Sequence, residues 1–235
     1  VLVLTHNMIE FFALSRGYGH SMAFLLGALW FLIRAFANPA LRHYALSLLF
    51  ATLALTANLT LLNTVLIIIG VLSIRLLTPK KIPFSQSWKH WLALIFLGLV
   101  PGAFYANYLF YLKEVGDLYY GMTTGFWQVT VRTLIKTMLD SRSVVIEVFV
   151  GMYVVFMLLA AALFLSKKFT IQKFFHSHLV FLFLLLGNVL AVVLLRIIFD
   201  VNYPEDRTGL YFLVFFVGGV FFLGDLWFQH RPSSK

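Results

Sequence analysis

The residues best suited to chemistry lie in one short run, 202–209 (NYPEDRTG), between two long apolar stretches. Ionisable side chains beside membrane-length apolar runs are costly, so they occur mainly where they pair or carry out a function. Pro204 disfavours helix at the residue before it, so Glu205, Asp206 and Arg207 are expected to start the next helix. A helix start favours anions, and arginine can hold a phosphate bidentately. The alternative is a purely structural role, in which the two acids only neutralise the charge of the arginine.

A second set, Glu10 and Arg16, precedes the first full apolar run. If 9–16 is helical, Arg16 offers a second phosphate contact, with Glu10 as an acid on the same face. Gly17 and Gly19 follow and permit a bend or a close approach of the backbone. The alternative is an interfacial anchor whose arginine extends to the lipid headgroups.

A third set lies in the longest loop and combines aromatic, acid and amide groups: Asp117, Tyr119, Tyr120, Trp127 and Gln128. Aromatic faces stack on sugar rings, and the polar groups hydrogen-bond to sugar hydroxyls. The same residue types are also common at any membrane interface. The histidines share no spacing typical of a metal site. No cofactor is predicted, and a divalent cation would lack a ligand cluster.

Composition indicates a membrane protein. Hydrophobic residues make up 61% of the 235 residues and charged residues 11%, against about 25% charged residues in soluble proteins. Apolar runs of about 20 residues, enough to cross a bilayer as a helix, recur along the chain. The net charge of +9 is therefore assigned to loops flanking the spans, and no nucleic acid is expected as a partner. The absence of cysteine excludes disulfide and thiol chemistry.

We predict an all-α polytopic membrane helix bundle of about seven transmembrane helices, one domain over 1–235. The predicted spans are about 18–37, 41–57, 58–76, 89–110, 143–166, 178–200 and 208–228. The second and third are nearly continuous, so one bent helix is the alternative to a turn at Asn58. A kink is expected at Pro101. Apolar residues at helical spacing predict an interfacial helix at about 126–139 in the longest loop.

Lysine and arginine set the orientation. Most of them flank the loops near 38, 77–88 and 167–177 and the C-terminal tail, which we therefore place in the cytoplasm. Nearly all acids then lie on the outer face, where we expect the chemistry. Because the chain starts at Val1 without a signal peptide, further protein is expected upstream. We also expect an ion pair between Arg196 and Asp200. Interhelical hydrogen bonds are expected from three asparagines, Asn63, Asn107 and Asn188.

The run Glu205-Asp206-Arg207-Thr208-Gly209-Leu210-Tyr211 resembles the start of a late helix in the C-type integral-membrane glycosyltransferases. The segments Leu14–Gly19 and Gly125–Gln128 are similar to ones in uncharacterised bacterial members of that superfamily. The resemblance implies transfer of a sugar from a polyprenyl-phosphate donor to an acceptor on the outer face of a bacterial inner membrane. The partners are then the lipid bilayer and that donor.

In that picture Arg207 and Arg16 hold the donor phosphate, and an acid acts as general base. The principal acid of the family usually follows its first span, a region expected upstream of this chain. The remaining candidates for the base are Glu10, Asp117, Glu205 and Asp206. The aromatic and amide residues of the longest loop would bind the substrate. Two other classes stay open: a transporter or flippase of lipid-linked substrates, and a non-catalytic subunit of an envelope-assembly complex.

Overall fold

The structure, a computed structural model, describes residues 17–77, 84–116, 121–139, 144–166 and 179–229. All regular elements in these ranges are helical, and none is a strand. The helices are α1 Tyr18–Ala37, α2 Leu41–Ala57, α3 Leu62–Leu77, α4 Phe84–Leu94, α5 Val100–Glu114, α6 Arg132–Leu139, α7 Val144–Ser166, α8 Val180–Phe199 and α9 Leu210–Gln229. Two 3-10 turns, Leu59–Leu61 and Asp206–Gly209, and two π turns, Ile95–Leu99 and Trp127–Val131, connect or extend them. The predicted all-α class is confirmed.

Helices of membrane-spanning length account for much of the chain. Four segments are long and apolar enough to cross a bilayer: Tyr18–Ala37, Leu59–Leu77, Ser87–Glu114 and Val180–Phe199. Three shorter apolar helices accompany them over Leu41–Ala57, Val144–Leu159 and Leu210–Phe222. A helix of about 20 residues is about 30 Å long, the thickness of the hydrocarbon core. The helices therefore indicate a membrane protein.

The helices α1 and α2 pack against each other more extensively than any other pair among the described helices. Leu25, Leu29 and Leu32 of α1 are fully buried, and their spacing of four and three residues forms one apolar stripe. The hydroxyl of Ser47 in α2 donates to the Ala28 carbonyl of α1 at 3.0 Å. Apolar packing and an interhelical hydrogen bond therefore both hold the pair.

The chain reverses direction between α2 and α3. Asn58 produces the turn, because its side-chain oxygen accepts hydrogen bonds from the amide of Thr60 at 3.1 Å and its hydroxyl at 2.8 Å. A Cβ on Gly98 would lie 2.9 Å from Ile69 and 3.2 Å from Leu48. In one continuous helix those two residues would be about 30 Å apart. The turn predicted at Asn58 is therefore confirmed, and one bent helix is excluded.

The irregularity predicted at Pro101 lies one turn earlier, in the π turn Ile95–Leu99. Proline has no N–H, so the carbonyl of Leu97 loses its usual helical partner. The Thr52 hydroxyl of α2 donates to that carbonyl. A neighbouring hydroxyl thus satisfies the group that proline leaves unpaired, as a bilayer interior requires.

The helices alternate between two ends of the bundle. At one end, here called the His90 end, Nε2 of His90 lies 3.1 Å from the Pro39 carbonyl oxygen. The guanidinium of buried Arg75 donates to the Phe36 carbonyl there at 3.2 Å. The opposite end, here called the Trp127 end, carries Trp127 together with the residues that follow α5 and α8. Lys113 near the end of α5 donates there to the last carbonyl of α8.

One polar contact ties α8 to α3 in the apolar core. The Thr64 hydroxyl donates to Oδ1 of Asn188 at 2.8 Å, and Nδ2 of Asn188 donates to the Leu184 carbonyl at 2.8 Å. Both side chains are fully buried. The prediction for Asn188 is confirmed. Asn107 is exposed, and neither it nor Asn63 makes a side-chain hydrogen bond within the described ranges.

We predict that Asn188→Leu lowers the free energy of unfolding by about 1–2 kcal/mol, because it leaves the Thr64 hydroxyl unpaired in the core. Asn107→Leu is the matched control and should stay within about 0.5 kcal/mol of wild type. Equilibrium unfolding in detergent measures both. In a double-mutant cycle, Thr64→Val should restore part of the loss in the Asn188→Leu background; strict additivity would contradict the pairing.

Candidate functional site

Three threonines fix the 202–209 run at the Trp127 end. The Thr130 hydroxyl donates to the Pro204 carbonyl at 2.7 Å. The Thr133 hydroxyl accepts from the Asp206 amide at 3.0 Å, and the Thr137 hydroxyl donates to Oδ1 of Asp206 at 3.1 Å. Spacings of three and four residues place the hydroxyls on one face of the helix. The predicted helix over 126–139 is present, and this face holds the acid-containing run.

The two acids of the run differ in their surroundings. Thr208 caps the backbone of Glu205: its hydroxyl accepts from the Glu205 amide at 2.8 Å and donates to the carbonyl at 2.7 Å. The half-buried carboxylate of Glu205 makes no hydrogen bond with any described residue. Asp206, by contrast, has a left-handed backbone with φ +46° and uses its carboxylate to bind Thr137. Of the two acids, Asp206 is therefore the one whose carboxylate helps to hold the run in place.

A second contact to the run comes from the chain just before Trp127. The amide of Tyr203 donates to the Met122 carbonyl at 3.1 Å, and Nδ2 of Asn202 donates to the Gly121 carbonyl at 3.3 Å. Gly121 has φ +81°, and a Cβ there would lie 1.7 Å from the Tyr203 carbonyl oxygen. The ring of Phe126 meets that of Tyr203 edge to face, with centroids 6.2 Å apart. Only glycine permits this close approach.

Beside the run, a carboxylate joins two residues of the adjacent helix. Nε of Arg132 donates to both oxygens of Glu147 at 3.0 and 2.9 Å, and Nε1 of Trp127 donates to Oε2 at 3.2 Å. The π turn explains why both side chains reach the same carboxylate. In this turn the Arg132 amide donates to the Trp127 carbonyl five residues earlier, which aligns the two side chains. The Trp127 ring also lies over Gly151, whose Cβ position is 3.6 Å from it.

Glu147 is absent from the residues predicted from sequence. It occupies the first turn of α7, where an acid favours the helix dipole. An acid within an otherwise apolar run was the available signal, because such residues are costly and tend to be functional. Its partners, Trp127 and Arg132, are not evident from sequence, because they depend on the π turn and on how α7 packs.

The structure brings together part of the predicted site. Glu205, Asp206, Trp127 and Gln128 lie at the same end, although the exposed Gln128 side chain folds back toward Gly125. Arg207 is the second residue of the 3-10 turn Asp206–Gly209 before α9, and its side chain lies outside the described residues. Five predicted residues also lie outside the described residues: Glu10, Arg16, Asp117, Tyr119 and Tyr120. No group of three or more His, Asp or Glu residues that could hold a metal occurs in the described ranges.

The predicted ion pair at the end of α8 is confirmed. Nη1 of Arg196 lies 2.7 Å from Oδ1 of Asp200, and the aspartate side chain is largely exposed. The pair lies near the run but touches neither Glu205 nor the threonine face. It is therefore a suitable control position for experiments on the site.

We predict that Gly121→Ala lowers the free energy of unfolding more than Gly116→Ala. The two glycines share nearly the same φ, +81° and +79°, but only Gly121 faces a backbone atom, whereas a Cβ at Gly116 meets nothing within 4 Å. In the control, Gly116→Ala, the free energy of unfolding should fall by about 1–2 kcal/mol, which is the strain of a residue with a side chain in the left-handed region. Hydrogen exchange at the Tyr203 amide should accelerate only in Gly121→Ala. Equal effects of the two variants would rule out the close contact.

At one end of the bundle lie a Glu205 carboxylate with no hydrogen bond to a described residue, an exposed aromatic ring at Trp127 and an exposed guanidinium at Arg132. Such groups accept a proton, stack on a ring and bind an anion, respectively. No family model, curated protein or solved structure matches this chain.

Proposed function

We propose that the four long apolar segments and the three shorter apolar helices all span the membrane, which gives seven spans, and that the Trp127 end faces outward. The lysine- and arginine-rich parts of the sequence near 38, 77–88 and 167–177 adjoin helix ends at the His90 end, in keeping with the excess of lysine and arginine in cytoplasmic loops. In this arrangement α6 lies along the outer surface. Its Leu134 and Ile135 are buried, whereas Arg132 and Lys136 are exposed, as expected of an interfacial helix.

We further propose that the chain transfers a sugar from a polyprenyl-phosphate donor to an acceptor hydroxyl at the outer face. The supporting observation is the set of hydrogen bonds from the threonine face to residues 204–206. These bonds hold an aromatic segment suited to a sugar and an acid suited to a base at the same end of the bundle. The resemblance of 205–211 to the C-type glycosyltransferases points to the same reaction.

The proposed step uses few groups. The acceptor oxygen attacks the anomeric carbon of the donor sugar, and the bond between that carbon and the phosphate oxygen breaks. The electron pair of that bond leaves with the phosphate, whose added charge Arg207 stabilises. The acceptor proton passes to the carboxylate of Glu205. Trp127 provides an apolar face beside the site.

We predict that cysteines introduced at the two ends react from opposite sides of the membrane. The chain has no cysteine of its own, so each introduced thiol is a unique label. Thr123→Cys, exposed at the Trp127 end, should react with an impermeant maleimide added to spheroplasts. Asn38→Cys, exposed at the other end, should react only after permeabilisation. The reverse pattern, or labelling of both from outside, would contradict the orientation.

We predict that the purified wild-type chain turns over a polyprenyl-phosphate sugar in detergent and that Glu205→Gln reduces the rate about 10²–10⁴-fold. The matched control is Asp206→Asn, because the Asp206 carboxylate already binds Thr137. It should lower thermal stability while turnover by the folded fraction falls less than tenfold.

Arg196→Ala serves as a second control and should leave turnover unchanged, because among the described residues Arg196 pairs with Asp200 at the end of α8 and not with the site. If wild type shows no turnover with any polyprenyl-phosphate sugar, the proposed reaction is wrong. If folded Glu205→Gln retains full turnover, another group is the base.

A further inference from the structure

Arg132 is held in a way that leaves its phosphate-binding atoms unused. Both of its hydrogen bonds to Glu147 come from Nε. Within the described part of the chain, neither terminal nitrogen has a hydrogen-bond partner. The side chain is 53% exposed, whereas that of Glu147 is 14% exposed. The carboxylate is therefore more shielded from solvent than the guanidinium.

This orientation suits a phosphate group. The terminal nitrogens carry most of the N–H donors of a guanidinium, in a planar fork that matches two phosphate oxygens. A fixed guanidinium loses less side-chain freedom on binding than a mobile one. Lys136, four residues further and also exposed, lies on the same face of α6 and adds a positive charge there.

Trp127 supplies a wall beside the guanidinium. Its ring is held by Glu147 at one edge and by the surface of α7 at Gly151, yet it remains 39% exposed. A ring in this position offers an apolar face next to a charged headgroup, as is usual at membrane surfaces. An ion pair with one largely exposed partner, here Arg132, contributes little to the stability of a fold, so stability alone is a poor explanation for this arrangement.

We propose that Arg132 and Trp127 form a binding site for the phosphate of a membrane lipid, with Glu147 as the positioning residue that orients both. The inference rests on the proposed outward orientation and deepens the proposed function, because a polyprenyl phosphate is the lipid that such a transferase would bind. An ordinary anionic phospholipid and free phosphate carry the same chemical group. The binding experiment therefore compares the three sources.

The experiment uses the full chain in nanodiscs of phosphatidylcholine. The probes are radiolabelled polyprenyl monophosphate, phosphatidylglycerol and inorganic phosphate, each titrated separately. We expect saturable binding of polyprenyl monophosphate at least tenfold tighter than that of either other probe. Arg132→Ala should weaken it at least tenfold, and Arg132→Lys should restore only part of the affinity, because lysine lacks the planar fork.

Glu147→Gln tests the positioning role. It should weaken binding about three- to tenfold, yet have no further effect when combined with Arg132→Ala, because the glutamate acts through the arginine. A purely structural ion pair would instead lower the melting temperature in both single variants while the affinity of the folded protein stayed unchanged. The Arg196→Ala control should bind all three probes as wild type does.

Unchanged affinity of folded Arg132→Ala for every probe would overturn the inference, as would inorganic phosphate that binds as tightly as either lipid. Equal affinity of wild type for polyprenyl monophosphate and phosphatidylglycerol would support a lipid-phosphate site but contradict polyprenyl phosphate as its specific ligand. The two proposals can fail separately, because binding is measured without a sugar. Phosphate binding lost in Arg132→Ala, with no sugar transfer by wild type, would support the site and reject the transferase. Sugar transfer at the full rate in Arg132→Ala, with phosphate binding unchanged, would support the transferase and reject the site.

Discussion

The hydroxyls of Thr130, Thr133 and Thr137 carry the constraint on which the Trp127 end depends. They bond the backbone and carboxylate of 204–206, a segment that has no regular structure until Asp206. The buried polar groups of such a segment need hydrogen-bond partners. Asp206 uses its carboxylate in this way, whereas the other acid of the segment, Glu205, has a carboxylate without a bond to any described residue. One row of hydroxyls thus gives the two acids different surroundings.

The π turn Trp127–Val131 links the threonine face to the neighbouring helix α7. An extra residue in the turn brings Trp127 and Arg132 over the same carboxylate, Glu147. Without it, residues five apart would point about 140° away from each other on a regular helix. The irregular backbone therefore positions both the threonine face, which holds the 204–206 segment, and the exposed pair of Trp127 and Arg132. A single local distortion serves both.

Sequence reasoning succeeded where one local signal decides the outcome. Apolar runs predict the helices, and Asn58 predicts the reversal, because side-chain capping is a local interaction. It failed where contacts between residues distant in sequence decide the outcome. Thr52 donates to the carbonyl that Pro101 leaves without a helical partner, and Glu147 accepts from Trp127 and Arg132 of the preceding helix. The roles of Glu205 and Asp206 could not be separated either, since their difference arises from Thr137, which is far away in the chain.

Binding of a lipid phosphate at the Trp127 end is tested most directly by photo-crosslinking. The probe is a polyprenyl phosphate that carries a diazirine next to its headgroup, added to the wild-type chain in nanodiscs. We expect crosslinked peptides confined to 121–139 and the neighbouring 199–209, and competition by unlabelled polyprenyl phosphate. Crosslinks at the His90 end, or spread along the lipid-facing helices without competition, would contradict the claim.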